Sequence, residues 1–111
     1  TRINNVGSNY ESNDAALLLA EKFEECYATI GWHPDDAAEF DDQAENYLLT
    51  KLSAKKVIAL GEIGLDYHWM VRPKEEQERV FRRQIQINFI QRNCSRSLLN
   101  IKAFLKVTTP E

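Results

Sequence analysis

A parallel α/β sheet built of βα units is the fold class this sequence predicts. Short apolar runs rich in β-branched residues alternate with segments of helical periodicity ten or more residues long. One of those runs, residues 57–60, is apolar throughout, as a strand buried on both faces must be. With 111 residues, 43% hydrophobic and 28% charged, the chain has enough material for one compact domain with a modest core.

The elements follow in order. Residues 3–8 read as the end of a strand running into a polar loop at Gly7 and Ser8. Ser12 or Asn13 is expected to cap a helix whose Ala16, Leu17, Leu19, Ala20 and Phe23 share one broad face, with Glu21 and Lys22 outward. Residues 26–30 mix small and β-branched side chains in a strand pattern that Gly31 ends. Pro34, Asp35 and Asp36 then read as a loop. Ala44, Tyr47, Leu48 and Leu52 recur at helical spacing from about Asp42 to Lys51, ahead of the strand at 57–60. Pro73 suits the first turn of a long helix, Glu75 and Glu76 suit its positive end, and Val80, Phe81 and Ile85 form its expected buried stripe. Beyond Gln86 the period lapses, and residues 98–107 read as either a strand or a short helix.

Composition narrows the function classes. No apolar run is long enough to span a membrane and the first residues are no secretion signal, so a cytoplasmic protein is expected. Cys26 and Cys94 lack metal-site spacing and read as packing residues of a reducing compartment. A net charge of −3 argues against electrostatic capture of nucleic acid by the chain as a whole. The charge is uneven, however: residues 1–87 carry a net −6 and residues 88–111 a net +3. Such a break marks either a basic interaction tail or a different origin for the last quarter.

Two segments could carry chemistry, each placed just after a strand. One is Gly31, Trp32, His33, Pro34; the other runs from Gly61 and Glu62 through Gly64 to Asp66 and Tyr67. Parallel α/β folds gather ligands at the carboxyl ends of their strands, so both segments point into one cleft. A carboxylate following an apolar strand needs a cation, and a divalent metal would satisfy Glu62 best. Composition and spacing alone favour a plainer alternative, in which Glu62 caps a loop, Asp66 is a turn residue and His33 is a hydrogen-bonded loop histidine. His68 is assigned no role, and Trp32 and Trp69 read as packing or rim residues rather than a stacking platform for nucleic acid.

The wording of these segments goes further. Gly31 to Ala37 resembles the G-x-H-P-x-x-A signature of TatD-family hydrolases, and residues 57–67, V-I-A-L-G-E-I-G-L-D-Y, resemble their second signature. Pro73, Gln77, Val80, Phe81 and Gln84 resemble the P-x-x-x-Q-x-x-V-F-x-x-Q helix that follows. The resemblance covers about the first 86 residues and implies a partial TIM-barrel-like (β/α)₈ metallo-hydrolase fold, with three to four βα units present. It implies one or two divalent metal ions (Mg, Mn or Zn), hydrolysis of phosphodiester bonds, and DNA as the substrate. Glu62 is then the metal-ligating carboxylate, His33 a catalytic residue beside the substrate, and Asp66, with Tyr67, a cleft residue around the ion.

Departures from the family pattern set a further expectation. The family's H-x-H pair on its first strand and its later metal-binding histidines and aspartate have no counterpart, His33 and His68 being the only histidines. Residues 1–86 are thus expected to form a partial hydrolase domain and residues 87–111 a divergent tail, in a chain inactive by itself. A barrel needs roughly 250 residues, and a catalytic ion about three protein ligands. Unpaired sheet edges would favour self-association. The alternative is a non-catalytic remnant or small interaction module whose basic tail (Arg92, Arg96, Lys102, Lys106) contacts a partner.

Overall fold

The computed structural model describes residues 2–94 and 102–108. Four strands, β1 (Ile3–Val6), β2 (Cys26–Ile30), β3 (Val57–Asp66) and β4 (Lys102–Thr108), form one parallel sheet in the order β1-β2-β3-β4. Helices α1 (Tyr10–Lys22), α2 (Asp42–Lys51) and α3 (Lys74–Cys94) occupy the crossovers. Sequential strands lie side by side with no reversal of order, so every crossover advances in the same direction. Right-handed crossovers of that kind keep all helices on one face, the singly wound arrangement of a barrel wall rather than a doubly wound sheet. The fold is therefore a partial TIM-barrel-like α/β structure, with three βα units and a fourth strand.

Helix α1 starts earlier than Ser12 or Asn13 would allow. Asn9 is its cap: the Asn9 side chain accepts from Ser12 N at 2.9 Å, and Ser12 Oγ accepts from Asn9 N at 3.1 Å. This reciprocal pair pays two of the helix's unbonded N–H groups and outcompetes a later start. Asp41 caps α2 in the simpler way, accepting from Ala44 N. The segment expected as a loop at Pro34 is a 3₁₀ helix, Pro34–Glu39, capped by His33.

Ala16 and Ala20 of α1 pack against Ala28 and Ile30 of β2 in the core, whereas Leu19 and Phe23 are exposed. Around Trp32 the aromatic rings of Tyr10, Phe40 and Tyr47 meet it edge to face, at 4.9, 5.4 and 5.8 Å between centroids. Such pairs add roughly 1 kcal/mol each to the burial of area. Cys26 is a buried free thiol, a packing residue as expected.

Two elements depart from the sequence reading. Strand β3 does not stop at residue 60 but continues through Gly61 and Gly64 to Asp66. Helix α3 turns Ile85 outward, 42% exposed, and buries Gln77, Val80, Gln84 and Ile87 in its place. Those four recur at helical spacing, and the two glutamines tolerate burial because each amide both accepts from a backbone N–H and donates to a backbone carbonyl, as described below. Helix α3 runs across the position 86/87 where the tail was expected to begin, and Ile87 belongs to the core. Of the tail, residues 102–108 form a strand, while Arg96 lies outside the described residues. Among the described residues no helix is long and apolar enough to cross a membrane.

Candidate metal centre at the carboxyl ends of β2 and β3

Register brings the two sequence motifs together. Ile30 of β2 pairs with Leu60 of β3, so Gly31 lies beside Gly61 and the next residues of both strands emerge as neighbours. The backbones approach so closely that a Cβ on Gly31 would stand 2.8 Å from the carbonyl oxygen of Gly61. Any side chain there would force the strand ends apart.

Three buried amide side chains then hold the exit of each strand. Asn13 Nδ2 donates to Gly31 O at 3.0 Å, and Asn13 Oδ1 accepts from Gly31 N at 3.2 Å. Gln84 does the same for the next residue, accepting from Trp32 N at 2.8 Å and donating to Trp32 O at 3.0 Å. Gln77 accepts from Asp66 N at 2.8 Å and donates to Asp66 O and Arg72 O. Each amide supplies the donor and acceptor that a neighbouring strand would otherwise give, so the backbone leaving the sheet stays paired. Sequence reasoning missed this function. Its signal was present in the seven-residue spacing of Gln77 and Gln84, which puts both on one side of α3.

On this frame stand His33 and Glu62. His33 Nε2 lies 3.7 Å from Glu62 Oε1, with the side chains 20% and 37% exposed. His33 N donates to Ser8 O of the β1–α1 loop, tying the three strand ends together. His33 Nδ1 accepts from Asp35 N at 3.1 Å. A ring nitrogen that accepts carries no proton, so the neutral imidazole has its proton on Nε2, the atom facing Glu62. His33 therefore presents a hydrogen-bond donor to this cleft rather than a metal-binding lone pair.

Asp66 sits at the end of β3, where its Oδ1 accepts from His68 N and Trp69 N, both at 3.1 Å. That is the geometry of an aspartate-stabilised turn. The Tyr67 hydroxyl donates to Glu78 Oε2 of α3 at 2.7 Å, which pushes its pKa up, and Lys74 lies over its ring. Trp32 is fully buried, with its indole N–H donated to Glu39. A carboxylate is ligand chemistry for a divalent ion, and an imidazole N–H beside it is a hydrogen-bond donor for a group held at that ion. Among the described residues, no group of three or more His, Cys, Asp or Glu side chains converges on one point. Glu62 thus supplies one carboxylate ligand to a metal site, with the His33 N–H as its neighbour, and the remaining ligands would come from beyond the described residues.

Comparison with known proteins bears on the fold and the family. In three dimensions the chain is similar to the crystal structure of YJJV, a TatD homolog from Escherichia coli K12, with a TM-score of 0.76 and 25% identity, over 96% of this chain and 39% of that one. YabD of Bacillus subtilis, named as an uncharacterized metal-dependent hydrolase, is 40% identical over 84 residues, which are 76% of this chain and 33% of YabD. A Salmonella typhimurium protein named as the 3'-5' ssDNA/RNA exonuclease TatD is 35% identical over 82 residues, 74% of this chain and 32% of that protein. The chain spans about a third of the length of these relatives. The TatD related DNase profile matches residues 1–89, and the chain belongs to that family.

Proposed function

We propose that this chain carries part of the active site of a metal-dependent phosphodiesterase acting on nucleic acid, with DNA as the substrate. The observation that supports it most is the placement of His33, just after β2, 3.7 Å from Glu62 of β3, within the two segments that carry the family signatures. Glu62 would hold the metal through its carboxylate. A bound divalent ion lowers the pKa of water and offsets charge on a phosphoryl oxygen. His33 directs its Nε2 proton toward the cleft, where it donates to a non-bridging oxygen of the phosphodiester and fixes that group in place. Asp66 acts at one remove, by holding the loop after β3 through its two backbone hydrogen bonds. The buried, unpaired thiol of Cys26 suits the reducing cytoplasm.

With Glu62 as their one assigned ligand, the described residues supply fewer than the roughly three protein ligands a catalytic ion needs. The purified 111-residue chain is accordingly expected to cleave DNA at a negligible rate with added Mg²⁺ or Mn²⁺. Cleavage of an end-labelled single strand, lost in Glu62→Ala, would contradict the inactivity while supporting the assignment of Glu62. Cleavage that survives Glu62→Ala would overturn the assignment itself.

A further inference from the structure

We propose that the loop joining β3 to α3 is a stacking platform for a nucleobase, with the indole of Trp69 as its face. The proposal rests on the reading of the substrate as a nucleic acid. The two tryptophans, both read from the sequence as packing or rim residues and not as a stacking platform, have opposite environments: Trp32 is fully buried, whereas Trp69 is 73% exposed, which reopens the stacking reading for Trp69 alone. Met70 and Val71 beside it are exposed as well. Three consecutive apolar residues in water are unfavourable unless something covers them. They stand at the carboxyl end of β3, the same end of the sheet as His33 and Glu62.

The loop is built to hold this ring. Asp66 Oδ1 receives the backbone N–H of Trp69 itself, and Gln77 donates to the carbonyls of Asp66, before Trp69 in the chain, and of Arg72, after it. Met70 takes a left-handed backbone, φ 49°, which is uncommon for a residue with a side chain and is typically retained where ligands bind. The His68 ring meets the indole edge to face at 4.7 Å and 87°, buttressing its orientation. An exposed aromatic surface already fixed in place loses little entropy when a flat partner stacks on it. The four residue steps of strand from Glu62 to Asp66 span about 13 Å, so the base concerned flanks the bond at the metal rather than carrying it. Stacking uses the face of a base, which every base has and which a duplex hides between its neighbours. Trp69 would thus favour unpaired strands without reading their sequence.

The test is binding of a short fluorescein-labelled oligothymidylate to the 111-residue chain in EDTA, followed by anisotropy, beside an abasic deoxyribose-phosphate oligomer of the same length. Trp69→Ala is expected to weaken oligothymidylate binding about tenfold, Trp69→Phe to retain most of it, and the abasic oligomer to bind the wild type as weakly as oligothymidylate binds Trp69→Ala. Emission from buried Trp32 reports that the variants remain folded. Equal affinity of wild type and Trp69→Ala for oligothymidylate would overturn the platform and leave the nucleic-acid reading standing. Failure of the wild type to bind either oligomer would overturn both.

Discussion

A buried amide that bonds both the N–H and the C=O of one backbone residue is hard to replace. Gln84→Met keeps the length of the side chain but leaves Trp32 N and Trp32 O without their partner at the core of the molecule. Two buried polar groups lose their hydrogen bonds, and urea unfolding should register a loss of about 2–4 kcal/mol. A change below half a kilocalorie would show that the clamp is incidental. A second residue-scale effect belongs to Tyr47, whose pKa is pushed above the ordinary tyrosine range by burial and then by its hydrogen bond to Asp14 at 2.6 Å. In the unfolded chain this group ionises near pH 10, whereas the folded chain keeps its proton to higher pH. Stability is therefore full below that pH and falls as pH rises above it, because the unfolded state sheds a proton that the folded state retains. Tyr47→Phe should make that alkaline decline shallower without abolishing it, since Tyr10 and Tyr67 are shifted in the same direction. Unfolding midpoints measured across the alkaline range would check this, and identical slopes would contradict it. The candidate residues His33, Glu62 and Asp66 could be named from the sequence because their motifs fix type and spacing. The direction of the His33 proton could not, since it depends on where the N–H of Asp35 points.

At the scale of elements, helical periodicity located α2 and the run of small and β-branched residues located β2, each with a clear end, at Lys51 and at Gly31. It misjudged α3, where counting only apolar residues selected Ile85 and passed over Gln77 and Gln84. Buried glutamines escape any pattern of hydrophobicity, for their burial depends on backbone groups that come from β2 and β3. Strand β3 was read too short for a related reason: glycines and a glutamate usually end strands, yet here they continue one beside β4, with Ile63 partnered by Leu105. The cap of α1 shows the reverse case, a local signal present but read three residues late. Asn9→Ala should cost about 1 kcal/mol by removing one half of the reciprocal pair with Ser12. The measurement is again urea unfolding, and loss of helical circular dichroism at unchanged stability would point to fraying of α1 alone. No effect on either would mean that Ser12 caps the helix unaided.

For the whole molecule, alternation of strands and helices made the α/β class legible, and the sequential strand order turns that class into a segment of barrel wall. Motif order identified the family, whose profile reaches residue 89. The charge break at residues 87 and 88 was legible as well, but charge reports on surface and says nothing about where a helix ends. The run of α3 through that point, with Ile87 in the core, follows from packing against β3 that no single window of sequence displays. Under the proposed function this chain supplies one carboxylate, Glu62, with His33 beside it, on a backbone secured by Asn13, Gln77 and Gln84. The most direct test of that claim is a Mn²⁺ titration of the 111-residue chain and of Glu62→Ala, read by water-proton relaxation. Weak binding by the wild type, with a Kd on the order of millimolar or about 4 kcal/mol, that disappears in Glu62→Ala is the predicted result. Binding of the same strength in both proteins would contradict it and place the metal elsewhere.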